Sequence, residues 1–308
     1  MRTLAFVLLL LPALGLAGAV QPFPKSEPVP GGVAVIPLPV QGNSTPKVEM
    51  GGRRIMVVSH EGQWYALAGL PFDMAPGEAS LEVKAPGAVS LPVKFQVLPK
   101  EYATQSLTIA DKEMVDYTPA SLRRIEREQK HLNRVLEGWR KTRYPALGFI
   151  WPAQGPETSH FGVRRVLNGE ARDPHSGIDI GAPQGTPLHA PADAVVADVS
   201  NFFLCGKTLT LDMGQGLYSI FCHMSIITVR PGQKVKQGQY VGRIGKTGRT
   251  TGPNLHWTVR LNGAAVDPHV FLGDNAPAVP ASTAIAPSPA ISLTAPVQAP
   301  AAATHRPR

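Results

Sequence analysis

The chain has 308 residues, enough for two domains, and 43% of them are hydrophobic against 17% charged. Gly (30) and Pro (31) are frequent and aromatic residues make up only 6%, which favours short strands and turns over a helix-rich fold. The net charge of +8 comes from scattered residues with no Lys/Arg run or recognition-helix signature, so we expect no nucleic-acid partner. The positive charge is compatible with an anionic polymer as the partner.

The first 19 residues have the pattern of a secretory leader. Arg2 supplies a positive charge, residues 4–16 are almost unbroken apolar sequence, and Ala17, Gly18 and Ala19 are the small residues that a signal peptidase reads. The run is too short for a comfortable membrane span, so we expect cleavage after Ala19, with an uncleaved anchor as the alternative. The mature protein is then expected in the periplasm, the cell envelope or outside the cell, without stable membrane insertion.

A Pro-rich lead, residues 20–30, precedes a region of short strands that covers residues 31–117. The apolar or alternating runs typical of strands are 33–36, 54–58, 64–67, 81–84 and 93–97. Turn-forming pairs separate these runs, among them Gly51-Gly52 and Pro86-Gly87. Several short strands at this spacing predict a small β-sandwich as the N-terminal domain.

Residues 118–143 form a predicted linker with one helix, from Thr118 to about Trp139. Thr118 can cap this helix, and Pro119 suits its first position. Its apolar residues fall on one face: Leu122, Ile125, Leu132, Val135, Leu136 and Trp139. The stripe predicts a strut packed between two domains, with a partner-binding helix as the alternative.

Residues 144–273 are typical of a second, strand-rich domain without a strong long helix. Its predicted strands are 194–199, 208–211, 217–221, 240–244 and 255–259. Residues 274–308 are mostly Ala, Pro, Ser and Thr, and we expect a disordered tail there. The whole chain is therefore predicted to be mainly β, with an N-terminal β-sandwich, a linker helix and a C-terminal antiparallel β-sheet domain.

The chain has two cysteines, Cys205 and Cys222, which an oxidising compartment would allow to pair. A hairpin turn at residues 214–216 would place Cys222 opposite Thr208, about three residues out of register with Cys205. Because disulfide geometry is strict, this register favours two unpaired cysteines, with a disulfide as the alternative.

Two segments carry residues that could bind a metal. If the residues around His175 form a strand, His175 and Asp179 share a face, because residues i and i+4 of a strand point the same way. If a second strand contains Asn254 and His256, these two also share a face. Neighbouring strands could then offer His175, Asp179 and His256, the three-ligand set of a catalytic zinc site with a position left for water. An i,i+4 pair also arises by chance on surfaces, which is the alternative.

Longer motifs surround these residues. In order along the chain they are HSGIDIGAP at 175–183, GTP at 185–187, CHMS at 222–225, VRPGQKV at 229–235, GKTG at 245–248 and GPNLHW at 252–257. This series resembles the M23 family of zinc peptidases, the lysostaphin- or LytM-like cell-wall endopeptidases. The resemblance covers essentially the whole second domain, and the sandwich and helix before it also resemble the N-terminal region of some proteobacterial-type members.

The resemblance implies roles for five residues. His175, Asp179 and His256 match the family's zinc ligands, and His223 matches a histidine outside the metal shell that assists catalysis. Asn254 stands where the family usually has a second such histidine. An amide can orient water or an oxyanion but cannot act as a general base, and loss of acid–base catalysis would slow a reaction by about 10²–10⁴-fold. Metal binding would persist, because Asn254 is not an expected ligand.

The resemblance also implies an activity: a zinc metalloendopeptidase that hydrolyses peptide cross-links or bridges of peptidoglycan through a metal-activated water. Loops such as 202–206 would close its groove. One alternative is a catalytically weakened relative that binds peptidoglycan or regulates another wall hydrolase, which Asn254 favours. Another is a peptidase that cuts Gly-rich proteins outside the wall. A monomer is assumed. His160 could line the groove, whereas His189 and His269 are expected to be surface or packing residues.

Overall fold

The computed structural model describes residues 23–107, 117–143, 145–167, 169–171 and 173–273. The predicted leader (1–19) and tail (274–308) lie outside these residues. Within them the fold is mainly β, as predicted, with a single α-helix. No helix in this described part is long and apolar enough to cross a membrane.

The first seven strands form the predicted sandwich. They are β1 Val33–Pro37, β2 Lys47–Met50, β3 Arg53–Arg54, β4 Met56–His60, β5 Gln63–Gly69, β6 Gly77–Lys84 and β7 Leu91–Val97. One sheet has the strand order β1-β5-β4 and the other β3-β2-β6-β7, and neighbouring strands in both run antiparallel. The two sheets enclose a common core that includes Ile36, Val57 and Leu81.

The β1-β5-β4 sheet is buried on both faces. In β4, Val57 packs into the sandwich core, whereas Met56 and Val58 pack into the core of the C-terminal region. In β5, Ala66 and Leu67 divide in the same way. Because successive side chains of a strand point to opposite faces, both faces of this sheet are apolar. The sheet, named here the middle layer, therefore lies between the rest of the sandwich and the C-terminal sheet.

Polar side chains of the C-terminal region also bind the backbone of the middle layer. The Gln215 amide donates to the Val57 carbonyl and accepts from the Val57 N–H, both at 3.1 Å. The Gly69 N–H donates to Asn262 Oδ1 at 3.4 Å. These bonds satisfy buried backbone groups at the junction.

The remaining strands belong to the C-terminal region. They are β8 Thr104–Leu107, β9 Glu157–Ser159, β10 Arg164–Leu167, β11 Glu170–Ala171, β12 Ile178–Gly181, β13 Pro187–His189, β14 Ala194–Phe202, β15 Gly206–Gly214, β16 Leu217–Ile227, β17 Lys234–Val235, β18 Tyr240–Ile244, β19 Asn254–Leu261 and β20 Ala264–Val266, followed by a 3-10 helix, Pro268–Phe271. Ten of them form an antiparallel sheet whose main path is β17-β14-β15-β16-β19-β12-β9. Strand β8 pairs in parallel with β10 in a small separate sheet.

The helix α1, Pro119–Leu136, is shorter than predicted. Thr118 caps it, accepting a hydrogen bond from the Ser121 N–H at 3.2 Å. The predicted end at Trp139 was wrong, because the helix stops at Leu136, shortly before Gly138, which has little helix propensity. None of the α1 residues is fully buried, but Ile125, Leu132 and Val135 of the apolar stripe are partly buried. The helix lies on the surface beside β14, and its role as a strut stays a prediction.

Candidate metal centre

Three side chains converge where β12 and β19 pair. His175 Nε2 lies 3.1 Å from Asp179 Oδ1 and 3.0 Å from His256 Nδ1, and the last two atoms are 2.8 Å apart. Four-coordinate zinc with bonds of about 2.0–2.1 Å would place its ligand atoms roughly 3.3 Å from one another. The donors therefore need to separate by only a few tenths of an ångström to hold such an ion. Among the described residues, these three are the group of His, Cys, Asp or Glu side chains whose ligand atoms lie close enough together, within 4.8 Å of one another, to bind one metal ion.

The local structure that brings His175 and Asp179 together differs from the prediction. Strand β12 begins at Ile178, so His175 lies in the segment before it. The prediction that His175 and Asp179 share a face because both lie on one strand was therefore wrong. Backbone hydrogen bonds with Val163 and Gly162 fix His175 instead. A Cβ on Gly177 would lie 2.3 Å from the Trp257 carbonyl oxygen, so glycine is needed where this segment meets β19. The pairing of Asp179 with His256 then places all three side chains on one face.

Each of the three side chains also has a second partner that fixes its orientation. His175 Nδ1 lies 2.8 Å from the His160 carbonyl oxygen and must donate to it, which leaves Nε2 as the lone-pair atom facing the centre. His256 Nε2 lies 2.9 Å from Thr258 Oγ1. The Arg165 guanidinium donates to Asp179 Oδ2 at 3.0 Å. Supporting contacts of this kind are typical of metal sites in proteins.

Burial and mutual hydrogen bonds set the charges of the group. Burial opposes ionisation of Asp179, but hydrogen bonds from His175 and His256 outweigh it and hold the pKa of Asp179 well below its ordinary range. Burial lowers the pKa of His175. Burial also acts to lower the pKa of His256, but the bond to Asp179 outweighs it and raises that pKa. Because the ionised Asp179 carboxylate can only accept, His256 Nδ1 carries the hydrogen between them, and metal binding would displace that proton.

His223 lies near the centre with its tautomer fixed. Its ring centroid is 6.3 Å from that of His256, and Nδ1 lies 2.8 Å from the Thr247 carbonyl oxygen, to which it must donate. Burial lowers the pKa of His223, so the ring is neutral at pH 7 with a lone pair on Nε2. The residue has a left-handed backbone, φ 64°, which is uncommon outside glycine.

Asn254 is at the start of β19, two residues before His256 and partly buried. Its Oδ1 accepts a hydrogen bond from Thr250 Oγ1 at 3.0 Å. The amide NH₂ is therefore the part of the side chain left to donate. Leu255 and Trp257, both fully buried, lie on the opposite face of β19.

Sequence analysis missed Arg165 and the backbone contact of His160, whose expected place in the groove stays a prediction. Arg165 binds Ser159 Oγ at 2.9 Å as well as Asp179. Its position shortly after the segment 158–162 is a weak signal, because arginine at a strand start is usually solvated. His160 contributes its backbone carbonyl to His175, while its half-exposed ring pairs with Glu157 at 2.6 Å.

Comparison with known proteins matches two parts of the chain to family models. Residues 173–268 match Peptidase family M23, and residues 26–100 match the Peptidase family M23 N-terminal domain. A solved structure of a peptidase M23 from Pseudomonas aeruginosa is 38% identical, with a TM-score of 0.69, over 80% of this chain and 96% of that one. The chain belongs to peptidase family M23. Relatives that match this chain include proteins named as a metalloprotease and as a peptidoglycan DD-endopeptidase.

Curated relatives match the M23 region over shorter stretches. An uncharacterized metalloprotease of Haemophilus influenzae is 39% identical over 106 residues, 34% of this chain and 22% of the relative. The DD-carboxypeptidase/endopeptidase Mpg of Neisseria meningitidis is 38% identical over 30% of this chain and 22% of its own. The peptidoglycan DD-endopeptidase ShyA of Vibrio cholerae is 37% identical over 36% of this chain and 26% of its own. Each match thus spans about a quarter of the relative's length.

Proposed function

We propose that this M23 member is a zinc endopeptidase that hydrolyses peptide cross-links or bridges of bacterial peptidoglycan. The observation that carries the proposal is the convergence of His175 Nε2, Asp179 Oδ1 and His256 Nδ1 within 2.8–3.1 Å of one another. The peptidoglycan DD-endopeptidase relative supports wall peptide as the substrate. The leader pattern of residues 1–19 supports export to the periplasm, the envelope or the exterior.

The donor set suits zinc. Two imidazole nitrogens and one carboxylate oxygen are ligands that zinc accepts, and a three-residue set leaves a position for water. Zinc held there would lower the pKa of that water and polarise the scissile carbonyl. The protein's part is to orient the ligands, through Thr258 behind His256 and Arg165 behind Asp179.

His223 is proposed to handle the proton. Its Nδ1–H is engaged with Thr247, so Nε2 can accept a proton from the attacking water. The resulting imidazolium can then donate a hydrogen bond to the oxyanion or a proton to the leaving amine. The lowered pKa of the buried ring keeps it in the accepting form at neutral pH.

Asn254 is proposed to act as a hydrogen-bond donor beside His223. Because Thr250 occupies its carbonyl oxygen, the amide NH₂ can steady the oxyanion or the attacking water. It cannot exchange a proton at neutral pH, so acid–base work would fall to His223 alone. We therefore expect catalysis slower than in a site with two histidines.

A digestion assay with matched variants tests the proposal. Purified protein should contain about one zinc per chain and release cross-link cleavage products from isolated peptidoglycan, seen by muropeptide analysis. Chelation should abolish release and added zinc restore it. His256→Ala should lose both zinc and activity, whereas His189→Ala, a histidine outside the centre, should keep them. Absence of zinc binding by clean protein would overturn the proposal.

Asn254 also favours a second candidate function, a weakened relative that binds peptidoglycan or regulates another wall hydrolase. The variant Asn254→His separates the two. Under the leading proposal it digests peptidoglycan at least as fast as wild type. If wild type and His256→Ala are equally inactive while wild type still sediments with peptidoglycan, the binding function is favoured.

A further inference from the structure

The two cysteines meet beside the candidate metal centre. Cys205 lies in the turn between β14 and β15, and Cys222 lies on β16 immediately before His223. The two residues are neighbours across the turn, because the Cys205 carbonyl accepts a hydrogen bond from the N–H of His223, the residue after Cys222. Cys222 is fully buried, while Cys205 keeps partial exposure. The sequence analysis had predicted that the two cysteines lie about three residues out of register and stay unpaired.

The register difference persists within the β15–β16 ladder, and the turn before β15 overcomes it by folding back over β16. The β15–β16 ladder pairs Leu209 with Phe221 but Lys207 with Met224, so β16 has one extra residue in between. The extra residue is accommodated at His223, whose backbone is left-handed. The turn before β15 then folds back, and the His223 N–H donates to the Cys205 carbonyl at 2.7 Å. Cys205 is thereby held against the strand segment that carries Cys222.

We propose that Cys205 and Cys222 form a disulfide in the mature exported protein, locking the 203–206 turn onto β16 next to His223. The proposal rests on the export that is part of the proposed function, because neighbouring thiols persist in a reducing cytoplasm but become oxidised in an oxidising compartment outside it.

The chemistry is thiol–disulfide exchange with a disulfide donor, either a protein oxidant or glutathione disulfide. The thiolate of the more accessible Cys205 attacks a donor sulfur, forming a mixed disulfide and releasing one donor thiolate. The Cys222 thiolate then attacks the Cys205 sulfur and releases the second. Two protons pass from the protein thiols to the donor thiolates, and two electrons reduce the donor. Because Cys222 is buried in the folded chain, we expect the bond to form during folding.

The disulfide would have a local effect on the site. Cys205 belongs to the loop 202–206 that the sequence analysis expects to close the groove, and its carbonyl already accepts a hydrogen bond from the His223 N–H. A covalent link removes conformations of the unfolded chain and restrains this turn. Reduction should therefore lower the thermal midpoint by about 5–10 °C.

Mass spectrometry tests the bond directly. Exported protein is unfolded in acid, alkylated with N-ethylmaleimide with or without prior reduction, and weighed intact. We expect no adduct without reduction and two adducts after it. Protein made without residues 1–19 in a reducing cytoplasm should carry two adducts in both cases. Two adducts on unreduced exported protein would overturn the proposal.

Two further measurements keep the test independent of activity and of export. Unfolded, reduced protein is refolded in a glutathione redox buffer, and failure of the pair to oxidise there would also overturn the proposal. The double variant Cys205→Ala, Cys222→Ala should show a thermal midpoint that reductant does not change, whereas that of the oxidised wild type falls. Zinc content and peptidoglycan digestion of the same samples report separately on the proposed function.

Discussion

Arg165 supports two of the three candidate ligands from behind. Its guanidinium donates to Asp179 Oδ2 at 3.0 Å and to Ser159 Oγ at 2.9 Å. Ser159 Oγ in turn lies 3.2 Å from His175 Nδ1. One side chain thus fixes the carboxylate directly and reaches an imidazole through a hydroxyl group.

We expect Arg165→Ala to weaken zinc binding by about 10–100-fold, because supporting groups of metal ligands have effects of that size. Competition against a chromophoric chelator measures the affinity. Arg164→Ala is the matched control, since Arg164 is an exposed arginine on the same strand. Equal affinities for the two variants would contradict the assigned role of Arg165.

Single residues also show where sequence reasoning reaches its limit. The pair His175 and Asp179 could be predicted, because ligand chemistry restricts the choice to few residue types. The local structure that brings the two side chains together could not be predicted. It depends on backbone hydrogen bonds between His175 and residues distant in sequence, Val163 and Gly162. Arg165 could not be predicted at all, because its partner Asp179 lies on a separate strand with which β10 does not pair.

At the scale of elements, α1 supports the turn after β14. Glu128 accepts a hydrogen bond from the Phe203 N–H at 2.7 Å, and the Arg124 guanidinium lies over the Phe203 ring at 5.6 Å. The helix therefore contacts the turn through polar side chains, which its apolar stripe gave no means to predict.

We expect Glu128→Gln to raise the hydrogen-exchange rate of the Phe203 amide, because a neutral acceptor binds an N–H less strongly than a carboxylate does. Exchange mass spectrometry with peptides covering 202–206 measures this rate. Glu126→Gln, an exposed change on the same helix, should leave it unaltered. A turn whose exchange is identical in both variants would show that α1 does not restrain it.

A histidine with two carboxylate partners ties the 3-10 helix to β9. His269 Nδ1 lies 2.8 Å from Asp267 Oδ1, and Nε2 lies 3.0 Å from Glu157 Oε2. Burial acts to lower the pKa of His269, but the two carboxylates outweigh it and raise the pKa to about 10 from its ordinary 6.5. A raised pKa means that the folded state holds this proton more tightly than the unfolded chain does.

The stabilisation from His269 is therefore complete below pH 6.5 and is lost as the pH rises through about 10. We expect the free energy of unfolding of His269→Gln to fall less steeply over this window than that of wild type. Urea titrations at several pH values measure the difference, with His189→Gln as a control that should keep the wild-type slope. Parallel curves for wild type and His269→Gln would contradict the argument.

At the scale of the whole molecule, the middle layer joins the two cores. Met56 is fully buried on the face that packs into the C-terminal core. Five of the seven sandwich strands could be predicted from alternation and turns, whereas β2 and β3 were missed. The burial of the middle layer on both faces could not be predicted. A run as short as β1 is too short for its pattern of apolar residues to show whether one face of the strand is buried or both are.

We expect Met56→Ala to lower the free energy of unfolding of the whole described fold by about 2–5 kcal/mol, the usual effect of truncating a buried side chain. Tryptophan fluorescence and far-UV circular dichroism should report one coincident transition at lower denaturant concentration. Val89→Ala, at a side chain 83% exposed, should change little. Two separate transitions would show that the sandwich and the C-terminal region unfold independently.

The doubly covered sheet also bears on recombination between relatives. A sandwich attached only by a linker can be exchanged as a cassette. Here an N-terminal domain moved into a relative would have to pack against that relative's C-terminal half through Met56, Val58 and Leu67, which are part of the C-terminal core. Chimeras cut within the linker should therefore aggregate unless both halves come from one parent, and matched substitutions along this seam should rescue them.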